Sequence, residues 1–157
     1  MAKEIERKYL VKPGAWTPSA GGTTIRQGYL SSVKERVVRV RTKGTKAFLT
    51  IKGLTTGISR SEFEYEIPVQ DADLLLTNLC EQPLIEKIRH KEVYMGHTWE
   101  IDVFFGANDG LTVAEVELTD EKEKLVLPTW VGEEVSSDPR YFNSNLIANP
   151  YSKWGNK

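Results

Sequence analysis

The stretch ERVVRVRTKGTKAFLTIK, residues 35–52, decides how the chain is to be read. From Glu35 to Lys43 the side chains alternate, Val38 and Val40 on one face, Val37, Arg39 and Arg41 on the other, which is the period of a strand. Lys43-Gly44-Thr45 reads as a tight turn, and Lys46 to Lys52 returns as the second arm of a hairpin. An ordinary half-buried hairpin turns its charged face to water. Here two arginines of the same sign share one face, an arrangement that like-charge repulsion disfavours unless something needs it.

Outward from this hairpin the same period recurs. Lys3 to Val11 places Glu4, Glu6 and Lys8 opposite Ile5, Tyr9 and Val11. Thr23 to Leu30, Arg60 to Ile67, Leu84 to Tyr94, Thr98 to Phe105 and Leu111 to Thr119 read as further strands, giving eight. Between the fifth and sixth, Gln70 to Cys80 changes period. Leu74, Leu75, Leu76 and Leu79 suit an amphipathic helix, with Asp71 and Asp73 in its first turn. Asp138-Pro139 followed by Arg140 to Ala148 predicts a short terminal helix. With no repeat or linker in sight, residues 1–157 are read as one domain. The fold class is mainly β (α+β), a barrel or two-layer structure. A closed eight-stranded barrel has an interior just wide enough for side chains or one small ligand.

Charge patterning then points to chemistry. Acidic alternating pairs occur at Glu4/Glu6, Glu62/Glu64, Glu100/Asp102 and Glu115/Glu117, and basic ones at Arg39/Arg41 and Lys87/Arg89. A polyphosphate with divalent metals would need both sets. Its oxygens call for several Arg and Lys donors, and Mg²⁺ is held by one or two carboxylates together with phosphate oxygens. Overall, 21 basic and 22 acidic residues nearly cancel, which argues against a dedicated nucleic-acid binder. No segment approaches the roughly 20 apolar residues of a membrane helix, and the charged N-terminus does not read as a signal peptide. The one cysteine, Cys80, cannot pair within the chain and favours a reducing, cytoplasmic setting.

These residues carry a family likeness. Glu4-Ile5-Glu6-Arg7-Lys8 resembles the ExExK signature of the CYTH superfamily, the triphosphate tunnel metalloenzymes, in its short bacterial form. Its companions follow in order from the third strand to the eighth: Arg39-Val40-Arg41, Lys52, Glu62/Glu64, Lys87-Ile88-Arg89, Glu100/Asp102 and Glu115-Val116-Glu117. The resemblance implies a closed eight-stranded antiparallel tunnel with inward charged faces and a few flanking helices. The segment Tyr141 to Leu146 is similar to the helix that plugs one tunnel end. It further implies that Lys8, Arg39, Arg41, Lys52, Lys87 and Arg89 contact a triphosphate. Glu4, Glu6, Asp102, Glu115 and Glu117 would hold Mg²⁺ or Mn²⁺, two ions with substrate, while Glu62, Glu64 and Lys8 would take catalytic parts.

The implied activity is metal-dependent hydrolysis of inorganic triphosphate to diphosphate and phosphate. Adenylyl cyclase of class IV, nucleoside or thiamine triphosphatase, and a polyphosphate-binding module are the alternatives the motifs leave open. The implied partner is a small triphosphate, with neither nucleic acid nor membrane, and oligomeric state is not legible. His90 and His97 lack the companions a zinc site needs. Tyr29 reads equally as a contact at the tunnel mouth or as rim packing. Trp99, Phe104 and Trp130 read as structural, and Arg60, Glu66 and Lys91 as charges near strand ends facing water.

Overall fold

The hairpin of residues 35–52 forms as its alternation requires. In the computed structural model, which describes residues 3–155, β3 (Val37–Lys43) and β4 (Lys46–Lys52) pair antiparallel from Val37↔Lys52 to Lys43↔Lys46. Gly44, with φ of 60°, takes the first position of the two-residue loop, where a side chain would be strained. The other ring strands are β1 (Lys3–Val11), β2 (Thr23–Ser31), β5 (Ser59–Ile67), β6 (Ile85–Tyr94), β7 (His97–Phe105) and β8 (Thr112–Glu117). They pair in the order β5-β4-β3-β2-β6-β7-β8-β1, and β1 meets β5 to close the ring. The eight-stranded antiparallel barrel expected from the sequence is therefore present.

Closure is brief. Among the described residues, only Lys3, Glu4 and Ile5 pair with β5, against Ser61, Arg60 and Ser59. Beyond them the same edge of β1 is taken by a ninth strand, β9 (Val131–Glu134), which pairs with Tyr9 and Val11. The sequence reading missed this strand, whose four residues show no sustained alternation.

Apolar packing lies mostly on the outer wall. Ile5, Tyr9, Trp99, Ile101, Ala114 and Val116 bury the outer faces of β1, β7 and β8 with Leu118 and Val131. Trp99 meets Trp130 edge-on at 5.7 Å and Tyr9 at 5.6 Å. On the opposite side, helix α1 (Val69–Asn78) lays Ala72 and Leu76 on Val40 and Ala47. Gly28 lets the chain after α1 approach β2, since a Cβ there would lie 2.9 Å from Cys80 Cβ and 2.7 Å from Leu84 Cδ2. The helix is narrower in its apolar stripe than expected: Leu74 and Leu79 face solvent, and Leu75 is only partly covered.

A third cluster fills one end of the barrel. The inner faces of the strands turn from charged to apolar at that end: Leu10 on β1, Tyr29 on β2, Val37 on β3, Ile85 on β6, Phe104 on β7 and Val113 on β8. Tyr141, Leu146, Ile147 and Trp154 from the C-terminal segment pack into the same cluster. The terminal helix expected over Arg140 to Ala148 is not formed. The segment runs as 3₁₀ turns at Pro139–Tyr141, Asn143–Leu146 and Tyr151–Lys153. Phe142 is extended between the first two, and Ser144, Asn143 and Asn145 are residues whose side chains compete with helical backbone bonds.

Candidate active site

Inside the ring the two signs of charge face each other. β3, β4 and β6 contribute Arg39, Arg41, Lys52, Lys87 and Arg89, while β8, β1 and β5 contribute Glu115, Glu117, Glu4, Glu6, Glu62 and Glu64, with Glu100 from β7. Lys8 on β1 and Arg60 on β5, both on the acidic side, are the exceptions. The cavity between them holds about 250 Å³, a little under the roughly 300–1,000 Å³ of common small-ligand sites. Lys8, Arg39, Arg41, Lys52, Lys87 and Arg89 are each less than a tenth exposed. Lysine and arginine are almost never so buried unless paired.

The pairs are specific. Lys52 Nζ sits 3.2 Å from both Glu4 and Glu62, and Arg60 Nε donates to Glu4 at 3.1 Å. Arg39 and Arg41 lie 3.5 and 3.4 Å from one oxygen of Glu64, which also accepts from Thr50 Oγ1 at 2.7 Å. The Nε atoms of Arg39 and Arg41 remain without a partner among the described residues. Arg89 donates through two nitrogens to Asp102, at 2.8 and 2.9 Å, and Lys87 lies 2.8 Å from the same carboxylate. Lys8 is 3.7 Å from Glu115 and donates to the Tyr141 carbonyl at 3.1 Å.

Ionisation follows these contacts. Burial opposes charge on Glu4, yet Lys52 and Arg60 outweigh it and hold the carboxyl at about 2. Burial together with Glu115 and Glu4 pushes Glu6 well above the usual carboxylate range. Glu115 goes the other way: burial is overcome by Lys8, Arg89 and Lys87, and by a hydrogen bond from Glu6. The two carboxyls are thus pushed in opposite directions, as neighbouring acids are when one charge disfavours the other. Burial and Glu4 raise Glu62, whereas in Glu64 burial is outweighed by Thr50, Arg41 and Arg39, which lower it. Burial drives Lys87 down to about 8 against the pull of Asp102.

Every residue that the resemblance assigns to substrate, metal or catalysis lines this cavity except Asp102. Asp102 is fully buried behind Lys87 and Arg89, both its oxygens engaged, while its neighbour Glu100 reaches the lumen. Arg60, read as a solvated strand-end charge, instead enters the cavity. Tyr29 is buried at the closed end, its ring in the apolar cluster. Sequence reasoning missed Lys43, Gln27 and Asn143. Asn143 Oδ1 accepts from Lys87 Nζ and from Gln27 Nε2, each at 2.9 Å. Lys43 and Gln27 lie on the Arg41 face of their strands and were legible from alternation; Asn143 carried no such signal. Among the described residues no three carboxylate, imidazole or thiol groups converge into a ready-made metal cage. The lumen offers carboxylates singly and in repelling pairs.

A closed barrel with a buried, sign-segregated lumen defines a class, and comparison with known proteins identifies it. The CYTH domain family matches residues 2–151, and the chain belongs to that family. It is similar to an inorganic triphosphatase of Acetivibrio thermocellus, 51% identical over 98% of this chain and 99% of that one. A second inorganic triphosphatase, from Nitrosomonas europaea, is 37% identical over 91% of this chain and 95% of its own length. The crystal structure of the inorganic triphosphatase NE1496 superposes with a TM-score of 0.66 at 35% identity, covering 94% of this chain and 95% of that one.

Proposed function

We propose that this chain hydrolyses inorganic triphosphate to diphosphate and phosphate inside the barrel, working as one tunnel domain in the cytoplasm. The observation that carries the reading is the pair of opposed walls: buried cations with unused guanidinium donors facing carboxylates across a cavity of small-ligand size. An empty lumen of this kind is costly, because two like charges 4 Å apart repel by about 4 kcal/mol at an effective dielectric of 20. A polyanion carrying divalent cations relieves both walls together.

Arg39, Arg41, Lys52, Lys87 and Arg89 grip the phosphate oxygens through charge-assisted hydrogen bonds. Lys8, tied to Glu115, stabilises negative charge as it grows on the leaving diphosphate. Glu62 suits the task of receiving a proton from the attacking water better than Glu64. Its basicity is raised, while Glu64 is held ionised by Thr50, Arg41 and Arg39 and serves to orient the two arginines. Glu6, Glu115 and Glu117 fit a hard cation: they supply carboxylate oxygens on two adjacent strands, burial and neighbouring carboxylates raise Glu6 and Glu117, and the missing donors are those a phosphate chain brings. Glu4 is less available, since Lys52 and Arg60 occupy it. Mg²⁺ or Mn²⁺ held there would neutralise phosphate oxygens and polarise the water. Asp102 fits a different task from metal binding, that of fixing Lys87 and Arg89 in place.

The test is phosphate release from inorganic triphosphate with Mg²⁺ or Mn²⁺, against EDTA and an Arg39→Ala control, with ATP and thiamine triphosphate in parallel. Metal-dependent release fastest from inorganic triphosphate supports the proposal. Release only from another substrate, or cyclic AMP from ATP, would keep the tunnel and reassign the reaction.

A further inference from the structure

Three lumen side chains meet where the barrel closes. Glu4 and Arg60 stand directly opposite each other across the β1–β5 seam, and Lys52 reaches the same carboxylate from β4. Lys52 Nζ lies 3.3 and 3.2 Å from the two Glu4 oxygens, and Arg60 Nε donates to one of them at 3.1 Å. The two cations are not held alike. Lys52 is gripped from both sides, since Glu62 also lies at 3.2 Å, and only 7% of its side chain is exposed. Arg60 has Glu4 as its one carboxylate partner among the described residues, and a quarter of its side chain is exposed. Its terminal nitrogens have no acceptor among those residues, and Arg60 lines the lumen. Its backbone is fixed, because Ser59 and Ser61 pair with Ile5 and Lys3 on either side. Moving the guanidinium therefore takes only a side-chain rotation, a fast event for a partly exposed residue.

A divalent cation shares Glu4 poorly with both of these neighbours. An ion of charge two beside a guanidinium and an ammonium is repelled by each, most strongly where water is scarce. A triphosphate changes the balance, because it offers oxygens that suit the planar fork of an arginine. We propose that Arg60 is a latch: it rests on Glu4 and passes to a phosphate oxygen when the triphosphate enters, which frees Glu4 to take a divalent cation. Metal and substrate then bind as coupled partners, each raising the affinity for the other by the same factor. Lys52, caged by Glu4 and Glu62, stays in place and keeps Glu4 aimed into the lumen.

This inference rests on the triphosphatase reading, and its test does not depend on turnover. Mn²⁺ binding to metal-stripped protein would be measured by calorimetry and by the Mn²⁺ electron spin resonance signal, with and without imidotriphosphate, an analogue whose bridging atoms are nitrogen. Arg60→Gln should bind Mn²⁺ alone about tenfold or more tightly than wild type, within the usual span of such couplings. Arg60→Lys, which keeps the charge, should stay close to wild type. Adding Glu4→Gln to Arg60→Gln should abolish the gain. In turnover, Arg60→Gln should lower the metal concentration for half-maximal rate and raise KM for tripolyphosphate, opposite shifts that a merely structural defect does not produce. An unchanged Mn²⁺ affinity in Arg60→Gln, or a gain that survives Glu4→Gln, overturns the latch and leaves Arg60 as a tie across the seam. Equal Mn²⁺ affinity with and without imidotriphosphate in wild type overturns it too. Should Arg60→Gln fail to fold, Arg60→Met makes the same comparison. Wild type that releases nothing from tripolyphosphate overturns the functional reading, while Mn²⁺ binding without phosphate still decides the latch.

Discussion

Replacing Asp102 by asparagine tests whether that carboxylate is part of the frame or part of the chemistry. The substitution keeps shape and removes one charge from a group that is 0% exposed and lies 2.8 Å from both Lys87 Nζ and Arg89 Nε. Removing one partner of a buried ion pair costs about 3–5 kcal/mol, since the remaining charge stays desolvated. Lys87 can shed its proton, because burial already holds it at about 8, so the lower part of that range applies to its share. Arg89 cannot. For 157 residues the unfolding entropy is about 0.33 kcal/mol/K, so the expected loss is roughly 9–15 °C in melting temperature. The assay is thermal unfolding by circular dichroism in EDTA, followed by a metal titration of activity. A variant that melts within about 2 °C of wild type in EDTA but needs far more metal for turnover would refute the framing role and return Asp102 to the metal ligands.

Other expectations follow from the same geometry. Arg39→Ala or Lys87→Ala should lower turnover by about 10²-fold or more while the barrel stays folded, as judged by far-UV circular dichroism; normal turnover would rule out phosphate contacts in the lumen. The kcat/KM should fall with a slope of one above pH about 8 as free Lys87 loses its proton. In Lys87→Arg that limb should vanish if the slope belongs to this residue. Stability moves oppositely: the unfolded lysine keeps its proton to about 10.4, so the burial penalty on Lys87, present in full below pH about 8, is relieved as pH rises toward 10. Glu115→Gln should raise the metal concentration needed for half-maximal activity, a shift absent if Glu115 merely holds Lys8. Trp99→Ala, at the centre of the outer aromatic cluster, should cost about 3–5 kcal/mol without changing metal dependence in the fraction that remains folded.

The ring of strands was legible because each strand face has one environment, and alternation reports the face directly. It does not report depth. Glu100 and Asp102 share a face, yet Glu100 reaches the lumen and Asp102 ends behind Lys87 and Arg89, a difference set by the long side chains of the neighbouring strand. Arg60 was misjudged for a related reason: it stands near the end of its own strand, but the pairing that closes the ring sets it opposite Glu4. The tail was the least readable part. Asn143 and Tyr141 act through contacts with residues far away in sequence, and short 3₁₀ turns leave no periodic trace. Leu74 on α1 and Leu79 just past its end fit the helical period and still face water, while Ala72 and Leu76 take the buried places on the wall beneath.

The position of β1 carries a consequence for synthesis in the cell. Among the described strands it is made before the others, yet its main partner is β8, from Glu6↔Glu117 to Leu10↔Val113, and its other partners are β5 and β9. At about 5–20 residues per second on the ribosome, roughly 5–20 s separate β1 from the strand that will receive it. An exposed, unpaired strand invites misassembly unless charges interrupt it. Glu4, Glu6 and Lys8 occupy alternate positions through that wait, so the residues that later line the lumen first keep the nascent strand apart from other chains.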